Sequence, residues 1–230
     1  MSPHPHHLQA SLIPVTALLV AKAPVPGYAK TRLAATLGDD RAADIAAAAL
    51  LDTLDAVAET PVTARVVALT GDLDQACRGD AIRDRLAGFT VIAQRGVDFA
   101  DRLANAHTDT AQVAGPNPIL QIGMDTPQVT ADLLARCARA LLDCDAVLGP
   151  ACDGGWWLLG VADSALAGCL RGVPMSRPDT GAITRKALQD SGTSVRLLEE
   201  IADVDAVADI AVVRAACQPD SRFARATRGV

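Results

Sequence analysis

The chain has 230 residues, of which 50% are hydrophobic and 21% charged, and its formal net charge is −6. This balance is typical of a globular protein with a sizeable core, and it excludes wholesale disorder, a coiled coil and a collagen-like rod. The acidic excess and the 3% of aromatic residues argue against a nucleic-acid binder, which needs a basic surface or stacking rings.

The N-terminal segment 1–14 is polar and rich in His and Pro, and it lacks the basic and apolar regions of a signal peptide. It is predicted to be a disordered tail. No apolar run is long enough to cross a membrane, and the six cysteines show no CxxC or zinc-ligand spacing. These observations predict a cytoplasmic protein with reduced thiols and no membrane span.

From residue 15 onward, short apolar runs alternate with helical segments. The predicted strands are 16–21, 65–69, 89–93, 118–123, 146–148, 156–161 and 194–198. The predicted helices are 40–59, 74–86, 99–113, 131–143, 181–190 and 205–216. A loop is expected over 24–38 and a looser stretch over 162–180. The alternation predicts an α/β fold in three layers, with a mostly parallel sheet in a single domain over 15–218 and a frayed tail over 219–230.

Ligands of such sheets bind outside the carboxyl ends of the strands, which directs attention to the loops there. The first is Ala21–Leu33, AKAPVPGYAKTRL, in which Lys22, Lys30 and Arg32 follow the first strand. Gly27 permits close backbone approach, and Lys and Arg side chains can hold phosphate oxygens. The segment is neither a Walker A loop nor a GxGxxG fingerprint, so a phosphate site and a solvated basic loop both remain open.

Two further loops carry carboxylates. In Gly123–Pro127, GMDTP, Asp125 follows the fourth strand, where it could hold a divalent cation against phosphates or simply cap a turn. In Gly149–Trp157, GPACDGGWW, Asp153 stands beside Trp156 and Trp157, the only tryptophans of the chain. That segment is either a hairpin turn or a wall for an acceptor group.

Two weaker signals complete the set. Gln94–Arg102, QRGVDFADR, offers an amide for a base edge and a guanidinium for a phosphate, although a surface loop explains it equally well. Asp205, in DVDAVAD at the start of the last predicted helix, is either a second metal ligand or the helix N-cap.

In combination these segments resemble the radical-SAM/selenodomain-associated transferase family, formerly a domain of unknown function, over about residues 16–210. The family pattern K-x-P-x-P-G-x-x-K-T-R-L matches 22–33, and Q-x-G-x-[DN]-L-G-x-R-[ML] matches 94–103. G-x-D-x-P matches 123–127, and G-P-x-x-D-G-G-[YW]-[YW]-L-x-G matches 149–160. The chain departs from the pattern at Phe99-Ala100, usually Leu-Gly, and at Met175-Ser176-Arg177, where W-S-T is common.

The family is similar to 2-phospho-lactate guanylyltransferases and to nucleotide-diphospho-sugar transferases, which implies a GT-A-like fold. The resemblance implies that the nucleotide contacts Lys30 and Arg32 through its phosphates and Gln94 near its base, and that Asp125 holds Mg²⁺ or Mn²⁺. We expect catalytic roles for Asp153 and Lys30, and metal ligation by Asp125 and Asp205. The expected nucleotide-binding residues are Lys22, Pro24, Gly27, Lys30, Thr31, Arg32, Gln94 and Arg102. Trp156 and Trp157 would form an acceptor wall.

The expected function is that of a metal-dependent transferase with a nucleotide donor and a small-molecule acceptor. A glycosyltransferase that uses a nucleotide sugar is the first hypothesis. A nucleotidyltransferase that joins an NTP to a phosphorylated small molecule is the second, and a non-catalytic nucleotide-binding protein is the third. The base, the sugar, the acceptor and the oligomeric state, including a homodimer, remain open because fold and motif alone do not specify them.

Overall fold

The computed structural model describes residues 11–230. Its seven strands are β1 (Ile13–Lys22), β2 (Val62–Thr70), β3 (Thr90–Ala93), β4 (Ile119–Ile122), β5 (Ala146–Pro150), β6 (Trp156–Val161) and β7 (Val195–Leu197). The eight helices are α1 (Thr31–Leu37), α2 (Asp39–Glu59), α3 (Gly79–Leu86), α4 (Phe99–Ala114), α5 (Ala131–Leu141), α6 (Thr180–Asp190), α7 (Val207–Ala216) and α8 (Arg222–Ala226). A 3₁₀-helical segment spans Ser164–Gly172. None of these helices is both long and apolar enough to cross a bilayer.

The strands form one mixed sheet in the order β3-β2-β1-β4-β6-β5-β7. All neighbouring pairs are parallel except those made by β6, which runs antiparallel to both β4 and β5. The predicted α/β fold with a mostly parallel sheet is therefore confirmed. Because β6 is reversed, its first residue lies at the same edge of the sheet as the last residues of β1 and β4, where the topology assembles a site.

Helices cover both faces of the sheet, as the apolar strands require. Leu18 and Val20 of β1 pack on one side with α4, the 3₁₀ segment and α6. Leu19 and Ala21 pack on the other side with α2 and α3, and α5 covers the neighbouring part of that side. This alternation along β1 reflects the period of two residues in a strand.

Helix α2 is buried on two sides, which explains its alanine-rich sequence. One side contacts the sheet, and the opposite side contacts α1, α7 and α8 through residues such as Ile45 and Ala49. Small side chains let the neighbouring helices approach closely while alanine keeps a high helix propensity.

Some residues that the sequence assigned to the two tails belong to regular elements. Of the N-terminal tail expected over 1–14, residues 1–10 lie outside the described part, but Ile13 and Pro14 belong to β1. Where the sequence suggests fraying over 219–230, Arg222–Ala226 form α8. Phe223 is fully buried against α2, and Arg222 pairs with two aspartates of α2. The sequence did not predict this helix because polar residues flank Phe223 and a single apolar residue gives no periodic pattern.

Two internal segments also differ from the sequence expectation. The expected loop 24–38 contains α1, which begins immediately after Lys30 and buries Leu33 against α2. Part of the looser stretch 162–180 forms the 3₁₀ segment, in which Ala167 and Leu170 are buried against α4. Both segments are short and gain their order from packing rather than from periodicity.

Candidate functional site

A cavity of about 550 Å³ opens at the carboxyl end of the parallel strands. Loops after β1, β3, β4 and β5 and the segment before α6 surround it. It is lined in part by Lys22, Arg32, Gln94, Arg102, Asp125, Asp153, Trp156, Trp157, Asp203 and Asp205. The cavity therefore brings together residues from all five of the segments that the sequence indicated.

At the first end of the cavity, the basic loop meets the loop after β4. Lys30 adopts a left-handed conformation with a φ of 50° as it caps α1, which costs conformational energy for a residue with a side chain. Its Nζ lies 2.5 Å from Asp125 Oδ2 and also donates to the Val204 carbonyl. Lys30 thus ties together three loops that are far apart in sequence.

A second ion pair lies beside the first. Arg32 Nη1 donates to Asp205 Oδ2, and both side chains line the cavity. Each of the two carboxylates predicted to hold a metal is therefore paired with a cation of the loop predicted to hold phosphate. Since the Arg32 side chain is 67% exposed, this pair is open to solvent and contributes little to stability.

The other predicted nucleotide-binding residues divide into two groups. Lys22 and Arg102 line the cavity, and Lys22 Nζ donates to the Tyr28 carbonyl at 2.7 Å. Within residues 11–230, Arg102 has no carboxylate partner, so its guanidinium is available to an anion. Four residues of the predicted set do not line the cavity: Pro24, Gly27, Lys30 and Thr31.

Gln94 is engaged by the backbone. Its Nε2 donates to the carbonyls of Ala21 and Ala68 at 2.8 and 2.9 Å, which fixes the side chain against β1 and β2 near their carboxyl ends. Its amide N–H groups are consequently occupied, and only Oε1 remains for a ligand.

At the second end of the cavity lie the turn after β5 and the segment before α6. Asp153 is exposed and accepts a hydrogen bond from the Gly155 N–H at 2.7 Å. The Gly154 backbone sits so close to Pro178 that a Cβ on Gly154 would lie 1.8 Å from the Pro178 carbonyl oxygen. Gly154 also has a φ of +87°, so the turn and the segment 174–178 fit together only with glycine here.

The two tryptophans both line the cavity but are anchored differently. Trp157 is only 3% exposed, and its Nε1 donates to the Glu199 carbonyl. Trp156 is partly exposed, and its Nε1 donates to Thr184 Oγ1 at 3.2 Å. Trp156 therefore offers more ring surface to a ligand than Trp157.

Negative charge concentrates at the centre of the site. The pKa of Asp203 is raised to about 6, first by burial and then by the nearby carboxylates of Asp153 and Asp125, while Lys30 opposes the shift. A bound divalent cation would relieve this repulsion.

The site suits Mg²⁺ or Mn²⁺ bound with help from a substrate. Among the described residues, no group of three His, Cys, Asp or Glu side chains is close enough to hold a metal alone. Asp125 and Asp205 supply hard oxygen ligands, and such ions commonly take one or two protein carboxylates together with substrate phosphates and water. Asp125 and Asp205 would hold the ion, with Asp203 beside them.

Three contributors were missed at the level of sequence. Asp203 stands two residues before Asp205 in the same acidic run, and its proximity to Asp125 was the missing information. Gln121 lies inside β4 and lines the cavity although it is only 2% exposed. The segment 175–178 lines the second end of the cavity, whereas the sequence marked Met175-Ser176-Arg177 only as a departure from the family pattern and assigned it no role.

A family described as "Uncharacterized protein conserved in bacteria (DUF2064)" matches residues 53–177, more than half of the chain. The chain belongs to the DUF2064 family. Its matched region runs from α2 to the segment before α6 and contains Gln94, Arg102, Asp125 and Asp153. No curated protein matches the chain.

Among solved structures, the chain is similar to a Desulfovibrio desulfuricans G20 protein provisionally described as a nucleotide-diphospho-sugar transferase. The TM-score is 0.81 at 25% identity, over 94% of this chain and 95% of that one. It is also similar to a CMP:2-keto-3-deoxy-manno-octonic acid synthetase complexed with CTP, at a TM-score of 0.55 and 13% identity over 87% and 97% of the two chains. A third similar structure is Mycobacterium tuberculosis H37Rv Rv0371c in complex with manganese. Its TM-score is 0.52 at 19% identity, over 86% of this chain and 97% of that one.

These similarities confirm the expected nucleotide-diphospho-sugar transferase fold. The similarity to the Desulfovibrio desulfuricans structure also supports the expected enzyme class, a transferase. The DUF2064 match agrees with the family resemblance in the sequence, although no comparison bears on an association with radical-SAM proteins.

Proposed function

We propose that this DUF2064 protein is a metal-dependent transferase that uses a nucleotide donor, and that the donor is a nucleotide sugar. One observation carries the metal-dependent use of a nucleotide: the ion pairs Lys30–Asp125 and Arg32–Asp205 lie next to each other, and Asp125, Arg32 and Asp205 line one cavity. Each pair joins a cation suited to phosphate with a carboxylate suited to a divalent metal. The similarity to a structure provisionally described as a nucleotide-diphospho-sugar transferase supports a nucleotide sugar as the donor.

A diphosphate and a metal ion together could take over both pairs. The phosphate oxygens would contact Lys30 and Arg32, while the carboxylates of Asp125 and Asp205 would turn to the metal. Each charge would then have a partner of opposite sign in the free site and again in the occupied site. When bound, the metal would neutralise the negative charge that develops on the leaving diphosphate.

The remaining residues suggest how the acceptor is treated. An acceptor hydroxyl would attack the sugar carbon, and the nucleoside diphosphate would leave with the electrons of the broken bond. We assign Asp153 to the acceptor side, where its carboxylate can take the proton of the attacking hydroxyl. Trp156 would form the exposed wall of this end, and Arg102 would contact a phosphate or an anionic group of the acceptor.

The second candidate function is that of a nucleotidyltransferase. It is favoured because this chain shares its fold with a synthetase that was solved with CTP. In that reaction the acceptor would attack the α-phosphorus and pyrophosphate would leave. The same ion pairs would serve, because both donors carry adjacent phosphates next to a metal. A nucleotide-binding protein without catalysis is the third candidate, and the presence of Lys30, Asp125 and Asp153 speaks against it.

A thermal-shift panel tests the proposal. The purified protein is heated with UDP-glucose, GDP-mannose, UDP, GDP, UTP, CTP and GTP, each with and without Mn²⁺. A ligand present at about 100 times its dissociation constant adds about 2.7 kcal/mol to the free energy of unfolding, which is a clear shift. We expect a metal-dependent shift with one nucleotide sugar that its parent NTP does not match. A shift with one NTP alone would favour the nucleotidyltransferase, and no shift with any compound would contradict a nucleotide site.

A further inference from the structure

Gln121, a buried polar residue that lines the cavity, stands among apolar residues of the core. Gln121 of β4 is in register with Leu18 of β1 and Leu159 of β6. Both leucines belong to the core on the α4 side of the sheet, and Val20 and Leu103 from that core also line the cavity. A polar residue in such a position is costly to bury unless its hydrogen bonds are made.

One half of the Gln121 amide has a partner. Its Oε1 lies 2.9 Å from Nε2 of His107, a fully buried residue of α4. Burial lowers the pKa of His107 to about 4, so the imidazole is neutral near pH 7 and carries a single N–H.

The position of that single N–H follows from the surroundings of the ring. Nδ1 of His107 has no hydrogen-bond partner among the described residues. A proton on Nδ1 would be a buried donor without an acceptor, whereas a proton on Nε2 is donated to Gln121 Oε1 and leaves only an unused lone pair. The Nε2–H tautomer is therefore favoured, and it fixes Oε1 toward the helix.

The other half of the amide has no partner in the protein. Gln121 Nε2 donates no hydrogen bond within residues 11–230, and it is not among the fully enclosed unsatisfied atoms. Since Gln121 lines the cavity, its Nε2–H groups are accessible from that side. The cations that suit phosphates, Lys30, Arg32 and Arg102, come from other elements, which leaves this donor on β4 to an uncharged group.

We propose that Gln121 is a specificity-determining residue, which donates Nε2–H to an uncharged hydroxyl or carbonyl oxygen of the bound substrate, and that His107 is its positioning residue. The inference rests on the proposed function, because it requires a substrate in this cavity. It adds a reason for substrate selection that the charged groups do not provide: a group without an acceptor oxygen at this point would leave a nearly buried amide unsatisfied.

The orientation of the amide can be tested without a substrate. In protein labelled with ¹⁵N-histidine, a long-range ¹H–¹⁵N spectrum at pH 7 distinguishes the two neutral tautomers of His107. A spectrum of His107→Gln, which lacks only this imidazole, assigns the signal. We expect the Nε2–H tautomer. The Nδ1–H tautomer would reverse the amide and overturn the inference.

The donor role is tested by calorimetric titration of the full chain with UDP-glucose, UDP, GDP-mannose, CTP and GTP in the presence of Mn²⁺. For the probe that binds best, Gln121→Leu should weaken binding about three- to tenfold, as expected for one lost hydrogen bond. His107→Leu should weaken it similarly, whereas His107→Gln, which keeps an N–H donor, should restore the affinity. A purely structural role of His107 would not predict this rescue.

Thr110→Val is the matched control. Thr110 lies on the same helix one turn after His107, is fully buried, and its Oγ1 has no partner among the described residues. Its replacement should leave the dissociation constant unchanged. If UDP-glucose but not UDP is weakened by Gln121→Leu, the contacted oxygen belongs to the transferred sugar; if both are weakened, it belongs to the nucleotide.

The outcomes separate the two claims. An unchanged dissociation constant in Gln121→Leu would overturn the inference and leave the proposed function standing. A failure of every probe to bind the wild-type protein would overturn the proposed function, and the inference with it.

Discussion

The two ends of the cavity are built by different means. At the first end, loops are joined by ion pairs between long side chains, Lys30 with Asp125 and Arg32 with Asp205. At the second end, backbone packs directly on backbone, with Gly154 against Pro178 and Gly181 against Gly155. Ion pairs can exchange partners when a charged ligand arrives, whereas close backbone contacts cannot.

This difference suggests a division of labour. The first end is suited to diphosphate and metal, which bring their own charges and replace those of the protein. The second end has a fixed shape and is suited to recognising the acceptor. Both departures from the family pattern that the sequence revealed, at Phe99 and at Met175, line the cavity.

The largest effect is expected from a change that breaks the rigid end. Gly154→Ala places a Cβ against the Pro178 carbonyl oxygen at a backbone φ of +87°. We expect a loss of about 3 kcal/mol in the free energy of unfolding, measured by urea denaturation. Gly192→Ala is the matched control, since Gly192 has a φ of +81° but nothing within 4 Å of the new Cβ. It should lose only about 1 kcal/mol, and equal losses in both variants would refute close packing at Gly154.

At the exchangeable end, Asp125→Asn should strongly weaken metal-dependent nucleotide binding while the fold persists. The variant keeps the side-chain shape but loses the charge that holds the metal, and we expect a loss of about 100-fold in affinity, or about 2.8 kcal/mol. Asp80→Asn, at an aspartate whose side chain is fully exposed in α3, is the control. Calorimetry with Mn²⁺ measures the nucleotide affinity of both variants. A metal-dependent affinity of Asp125→Asn equal to that of the wild type would contradict the assignment of Asp125 as a metal ligand.

A comparison of two arginines sharpens the exchange mechanism. Arg32 must leave Asp205 before it contacts a ligand, whereas Arg102 has no carboxylate partner among the described residues. Arg102→Ala should therefore weaken binding about tenfold, and Arg32→Ala should weaken it less. The effect of Arg32→Ala should be the same for every nucleotide. Loss confined to one base in Arg32→Ala would show that Arg32 is not a phosphate ligand.

The smallest effect concerns Asp203, whose carboxylate is partly buried and lies near those of Asp153 and Asp125. The pKa of Asp203 is raised to about 6 from 3.8, so the folded state binds the proton more tightly than the unfolded state. This raises stability at low pH, and the gain is lost as the pH rises through 6. Asp203→Asn should thus stabilise the free protein at pH 7.5 by about 1 kcal/mol, a value discounted for solvent exposure, and by much less near pH 4. Urea denaturation of the wild-type protein and the variant at pH 7.5 and at pH 4 measures this effect. An equal stability difference between the two proteins at both pH values would contradict the prediction.

The sequence predicted the frame of the molecule better than its details. Apolar runs such as the one in β1 and the long periodic helix α2 carry strong local signals, and both lie where they were expected. Helices α1 and α8 were missed because each is short and is ordered by packing against α2. The motif residues around Asp125 and Asp153 were found because the carboxyl ends of the strands meet at one edge.

The sequence by itself determined the alternation of strands and helices, the edge of the sheet at which the candidate site lies, and the residue types available there. Only the tertiary structure decided that Lys30 pairs with Asp125, 95 residues away, and Arg32 with Asp205, 173 residues away. It also decided that His107 orients Gln121 beneath the cavity. The physical reason is that hydrophobic periodicity specifies how each segment folds and which face it buries, whereas the partner of a charged or polar side chain depends on which loops the assembled sheet brings together.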